Sequence, residues 1–144
     1  MRFIPLLVLA ACGNPFLSTL ADQRDTWDAA ALDDYAYTLQ YGCFCPPEYT
    51  TPVRITVVAD AVTSAVYAED NEPVVAGDPA PEGYNAFTID GLFDEAERAL
   101  READDTTLAF DPTYGYPSTL SIDWQVNAAD EEQAYTASDL VPAE

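Results

Sequence analysis

The chain has 144 residues, of which 49% are hydrophobic, so it carries enough apolar material to fold as one domain with a modest core. Its 26 acidic side chains face five arginines, no lysine and no histidine, a formal charge of −21. Such a surface repels nucleic acid and anionic lipid headgroups, so neither is an expected ligand of the folded part. The acids are scattered along the chain, which fits solubility in a salty medium, where self-repulsion is screened, better than one dedicated cation trap.

The N-terminus carries the first signal. Arg2, an apolar run from Phe3 to Leu9, and then Leu9-Ala10-Ala11-Cys12 have the order of a bacterial lipoprotein signal. In that reading residues 1–11 are a signal peptide removed before Cys12, and acyl chains on Cys12 hold the remaining 133 residues to a membrane. Loss of Arg2 takes away one positive charge and leaves −22. The apolar run is broken by Pro5 and is far shorter than the roughly 20 residues needed to span hydrocarbon, so it is not read as a transmembrane helix. Each buried methylene of an acyl chain contributes about 0.8 kcal/mol, and a cysteine with several chains meets the need for more than one lipid signal. The expected location is the cell envelope, outside the cytoplasm, and Gly13 is compatible with outer-membrane sorting in a double-membrane cell. The competing reading is a buried N-terminal strand whose small residues mimic the signal.

Removing Cys12 from the three cysteines leaves an even pair, Cys43 and Cys45, in a compartment where disulfides persist. They are read as a disulfide pinning a strand end, as two free thiols, or as a redox-active Cys-x-Cys switch. No lysine or histidine is available to lower a thiol pKa, which weighs against the switch.

In chain order, residues 12–24 are expected to be the lipidated cysteine and a tether, with 25–144 forming a single α+β domain. Residues 13–19 look like open chain, and a weakly amphipathic helix is predicted from about Leu20 to Asp33, where Leu20, Trp27 and Ala31 fall on one face. Tyr35, Tyr37, Leu39 and Tyr41 then alternate with Ala36, Thr38 and Gln40, the two-residue period of a half-buried strand, ended by Pro46-Pro47. Val53–Ala59 and Val62–Tyr67 are predicted as a hairpin turning at Asp60-Ala61. Alanine is poor there, because a two-residue turn needs positive φ. Residues 69–85, rich in proline, glycine and acids, are a loop. A helix is predicted from near Asp90, with Leu92, Phe93, Ala96, Ala99, Leu100 and Ala103 as its apolar stripe. Asp90 would cap it, and Asp94–Arg98 and Glu97–Arg101 would pair at four-residue spacing. Strands over Thr107–Asp111 and Thr119–Trp124 follow, and Glu132–Leu140 would add a final edge strand. The fold is therefore α+β, an antiparallel sheet with two helices on one face, in the order α-β-β-β-α-β-β(-β), an order that hints at a structural repeat.

Trp27, Asp34-Tyr35-Ala36-Tyr37, Cys43-Phe44-Cys45-Pro46, Thr88-Ile89-Asp90-Gly91-Leu92-Phe93 and Asp111-Pro112-Thr113-Tyr114-Gly115-Tyr116-Pro117 together resemble the landmarks of one bacterial lipoprotein family, domain of unknown function 6174. The resemblance runs from about Trp27 to Leu140 and departs from it at Ala61, where glycine is expected. It implies a secreted or envelope-anchored domain and brings no activity, cofactor or site residue with it.

Little catalytic chemistry remains. Without histidine or lysine, Ser-His and Ser-Lys nucleophiles are excluded, while a carboxylate pair as in glycosidases stays open although 26 acids single out no pair. There is no phosphate-cradling or dinucleotide-binding glycine motif, and zinc lacks ligands. Glu69-Asp70-Asn71-Glu72 and Asp130-Glu131-Glu132 lack the spacing of a calcium loop and read as solvated charge. No metal and no cofactor is expected, and catalytic residues are not assigned. Tyr114 and Tyr116 could present two rings to a partner, or could cover the sheet edge. The expected role is a non-catalytic binding or structural one toward an unidentified envelope protein or ligand. The alternative is a thiol–disulfide protein acting through Cys43 and Cys45.

Overall fold

The computed structural model describes residues 14–75 and 87–144; the signal segment and Cys12 lie outside them, as does most of the long loop. Helix α1 runs from Pro15 to Ala30. Its start is local chemistry: the Asn14 side chain accepts the Phe16 N–H at 3.0 Å, and Pro15 occupies the first turn, where its missing N–H costs nothing. Ala31, in the left-handed conformation, stops it. Residues 15–24 are thus helix and not tether, and Ala31 is an exposed cap rather than part of the apolar face. Sequence periodicity was weak here because only Leu20 and Trp27, seven residues apart, are buried.

Strand β1 (Tyr35–Cys43) buries Tyr35, Tyr37 and Leu39 on one side. It pairs antiparallel with β2 (Val53–Val58), whose Val53, Ile55 and Val57 lie opposite them, and β2 pairs with β3 (Ala61–Tyr67). The hairpin turns at Ala59 and Asp60, with φ of 50° and 60°, one residue earlier than expected; Ala61 is already paired with Val58. Asp34 helps hold Ala59 in this disfavoured conformation, its carboxylate accepting the Ala59 N–H at 2.7 Å.

Helix α2 (Ile89–Glu102) begins at Thr88, whose hydroxyl accepts the Gly91 N–H at 3.1 Å. The cap is therefore Thr88, and Asp90 sits in the first turn. The expected stripe is buried at Leu92, Phe93, Ala96 and Ala99, with Leu100 and Ala103 packed beside it. Burying each of the larger side chains contributes about 1.5–3 kcal/mol. Glu97 and Arg101 pair at 2.7 Å as expected. Asp94 instead bridges Arg24 of α1 at 2.6 Å, while Arg98 lies 4.2 Å over the Trp124 ring and pairs with Glu95. The Trp124 ring holds the Arg98 guanidinium, and Asp94 is left for the neighbouring helix. Asn14 adds a second tie between the helices, donating to the Leu100 carbonyl at 3.3 Å.

Strands β4 (Asp105–Phe110), β5 (Pro117–Asp123) and β6 (Gln133–Pro142) complete the sheet, whose order is β3-β2-β1-β6-β5-β4. β6 is central and not an edge strand, pairing with both β1 and β5 and burying Tyr135 and Ala137. Each three-stranded meander has an edge to satisfy, and joining β1 to β6 satisfies both. The order α-β-β-β occurs twice, but the inner strand is the first of one meander and the last of the other. The core lies between the two helices and the one sheet face that carries Tyr35, Tyr37, Ile55, Leu120 and Ile122. Among the described residues no helix is long and apolar enough to cross a membrane.

Candidate functional site

Because both helices cover one face, the alternate residues of every strand form a second, uncovered face. The pairing register lines up Gly42 with Ala134, Ala134 with Ser121 and Ser121 with Thr107, a row crossing β1, β6, β5 and β4. No side chain in that row is larger than threonine, so it forms the floor of a trough of about 450 Å³. Closeness of the floor is set by glycine: a Cβ at Gly42 would lie 3.2 Å from the Ala134 Cβ.

One wall of the trough is acidic. Asp105 and Asp123 are directly opposed on β4 and β5, and both line the trough together with Glu132. Like charges facing each other across two strands destabilise the pairing. Among the described residues no arginine offsets them: Arg24, Arg98 and Arg101 bridge carboxylates of α2, and Arg54 donates to the Asp139 carbonyl. Asp123 Oδ1 is buried without a hydrogen-bond partner.

Phe44 stands at the β1 end. It lies in the bend just past the end of β1, lines the trough together with Gly42 and is 78% exposed. Cys43 and Cys45 are bonded to each other on either side of it, with Cα atoms 5.2 Å apart. Pro46 and the short 3₁₀ turn Pro47–Thr50 carry the chain away, so Phe44 is held at the apex of a closed ring.

The other expected site residues are placed differently. Tyr116 is 3% exposed and packs edge-on against Trp27, with ring centroids 6.4 Å apart, and so is a core residue and not a contact surface. Its hydroxyl is pushed up to about 12 by burial. Tyr114 is half-buried against the same core. Burial also pushes Tyr35 up to about 12 and raises Tyr135, consistent with a dry interface between sheet and helices. Among the described residues no three acidic, cysteine or histidine side chains converge as a metal would require. Glu69–Glu72 form a tight turn in which Asp70 accepts the Glu72 N–H. The floor row and the Asp105–Asp123 opposition were missed in the sequence, where the only available signal was the small or polar character of alternate residues in β4, β5 and β6.

No match to the chain is found among curated proteins or among solved structures. A family model does match, over residues 19–142, which takes in both helices and all six strands with only the first turn of α1 left out. The chain accordingly belongs to the family of unknown function (DUF6174).

Proposed function

We propose that this chain is a lipid-anchored, extracytoplasmic binding domain that engages its partner through the uncovered sheet face. The observation that carries the reading is Phe44, a large apolar ring 78% exposed at the mouth of a trough and fixed there by a bonded cysteine on each side. A residue whose backbone is restrained by a disulfide loses less conformational entropy on binding than one in an open loop, a property expected of an anchor residue. The anchor at Cys12 is supported by the order of residues 2–12. The lack of histidine and lysine removes Ser-His and Ser-Lys nucleophiles, which favours binding over that class of catalysis.

Two experiments test this. A photo-crosslinking phenylalanine analogue in place of Phe44, irradiated in intact cells, should give one discrete adduct by mass spectrometry; the same analogue at exposed Phe16 of α1, in the helix layer on the other side of the sheet, should not. Metabolic labelling with a fatty acid should mark the wild type and not Cys12→Ala, which should leave the membrane fraction. Equal adducts from both positions would overturn the binding face, and an unlabelled, soluble wild type would overturn the anchor.

A second reading has one observation in its favour, the Cys43–Cys45 bond at an exposed rim. There the pair would cycle between disulfide and dithiol with an external thiol protein as electron donor. Thiol titration of anaerobically purified protein, with a measured reduction potential, decides it: a potential far below those of known oxidoreductases removes the redox role.

A further inference from the structure

We propose that the trough is a site for a linear oligoammonium ligand, a slender organic cation whose amines are spaced along a methylene chain. This rests on the binding reading above and names the ligand class. Shape is the first argument. A floor made of glycine, alanine, serine and threonine crosses four strands, leaving an open trough of about 450 Å³ that runs across the sheet and carries no bulky side chain along its floor. Its methyl groups suit methylenes, and the Ser121 and Thr107 hydroxyls can accept hydrogen bonds from ammonium groups.

Charge is the second. Asp105 and Asp123 oppose each other with no cation among the described residues to offset them, an arrangement that weakens the bare sheet and is relieved when a cation enters. Glu132 extends the negative wall, and Phe44 offers a π face at one end for a cation. An anionic or bulky branched ligand fits neither wall nor floor. The carboxylates do not converge as metal ligands, so several separated positive charges are matched better than one compact ion.

A protein of charge −21 also gathers polycations loosely, so the test must separate a site from an ion atmosphere. The full chain is titrated calorimetrically with spermidine in 0.15 M salt, where the screening length is about 8 Å. Saturable one-to-one binding is expected. The double substitution Asp105→Asn/Asp123→Asn should weaken it at least about tenfold, the loss of one or more charge-assisted contacts. Ser121→Phe, which fills the trough and keeps every charge, should do the same, with Thr107→Phe as the substitute if Ser121→Phe does not fold. Asp22→Asn/Asp25→Asn on exposed α1 removes the same charge elsewhere and should change the affinity less than twofold. Circular dichroism melting should show Asp105→Asn/Asp123→Asn folded and no less stable than wild type. Absence of saturable binding, or equal weakening by the α1 control, overturns the proposal. If spermidine fails while the Phe44 adduct persists, the ligand class is wrong and the binding face stands; loss of both removes the two together.

Discussion

The hydroxyl of Tyr35, in the first strand, accepts the backbone N–H of Ile89, the first residue of α2, at 2.8 Å in a buried setting. An N–H at a helix start has no partner within its own helix, so a strand side chain completes the helix. Next to it, the Tyr37 hydroxyl donates to the Phe87 carbonyl. Two tyrosines of one strand thus fix where α2 begins.

Tyr35→Phe should therefore destabilise by about 1–3 kcal/mol, the cost of a buried donor left unpaired. Denaturant unfolding measures this, with an unchanged m-value. Val57→Ala, which removes only apolar atoms from the neighbouring strand, should lower stability without changing protection of the Ile89 amide in hydrogen exchange, whereas Tyr35→Phe should reduce that protection.

Asp90 lies in the first turn of α2, where burial raises its carboxyl above the usual range although the Trp27 indole and Arg24 act in the opposite direction. A carboxyl whose folded pKa is raised holds its proton longer in the folded state. Its contribution to stability is therefore present in full below the ordinary value of 3.8 and is lost as pH climbs through the raised one. Asp90→Asn keeps an oxygen for the indole and cannot ionise. Its melting temperature relative to wild type should rise between pH 3 and pH 6 and then level off.

Gly115 has φ +77°, and a Cβ there would lie 2.9 Å from the Gln23 carbonyl oxygen and 3.0 Å from the Thr26 Cβ. This turn is where the β4–β5 connection touches α1. Gly115→Ala should destabilise by about 1–3 kcal/mol through backbone strain and displacement of α1. A changed Trp27 fluorescence maximum would report the displacement.

Cys43→Ser/Cys45→Ser opens a ring of only three residues, and the chain-entropy estimate for so small a loop is about 1.5 kcal/mol. The melting temperature should fall modestly, while Phe44 gains freedom. If Phe44 is an anchor, its cellular adduct should weaken by more than the small stability loss explains.

The legible parts of the sequence are those where one element decides its own pattern. In α2 the stripe from Leu92 to Ala103 faces a core on one side only, and in β1 the alternation of Tyr35, Tyr37 and Leu39 does the same. α1 was harder because it buries only Leu20 and Trp27, so periodicity placed its start at Leu20, five residues late, and the Asn14-Pro15 capping signal that marks the true start went unread. Partner choice was not legible. Arg24 lies seventy residues from Asp94, and the opposition of Asp105 with Asp123 exists only once the β4–β5 register is set. β6 read as an edge because its residues are only partly apolar, yet the open edges of two meanders draw it to the centre. The trough is a property of four strands side by side and belongs to no single segment.

α1 begins almost at once after Cys12. With Asn14 capping Phe16 and reaching the Leu100 carbonyl, the described structure begins two residues after the proposed lipid attachment at Cys12. Two residues extend about 7 Å at most, so an acylated Cys12 would give the domain a very short leash. The domain would be kept close to headgroups that its own acidic surface repels, so its orientation over the bilayer would be set by charge as much as by the leash.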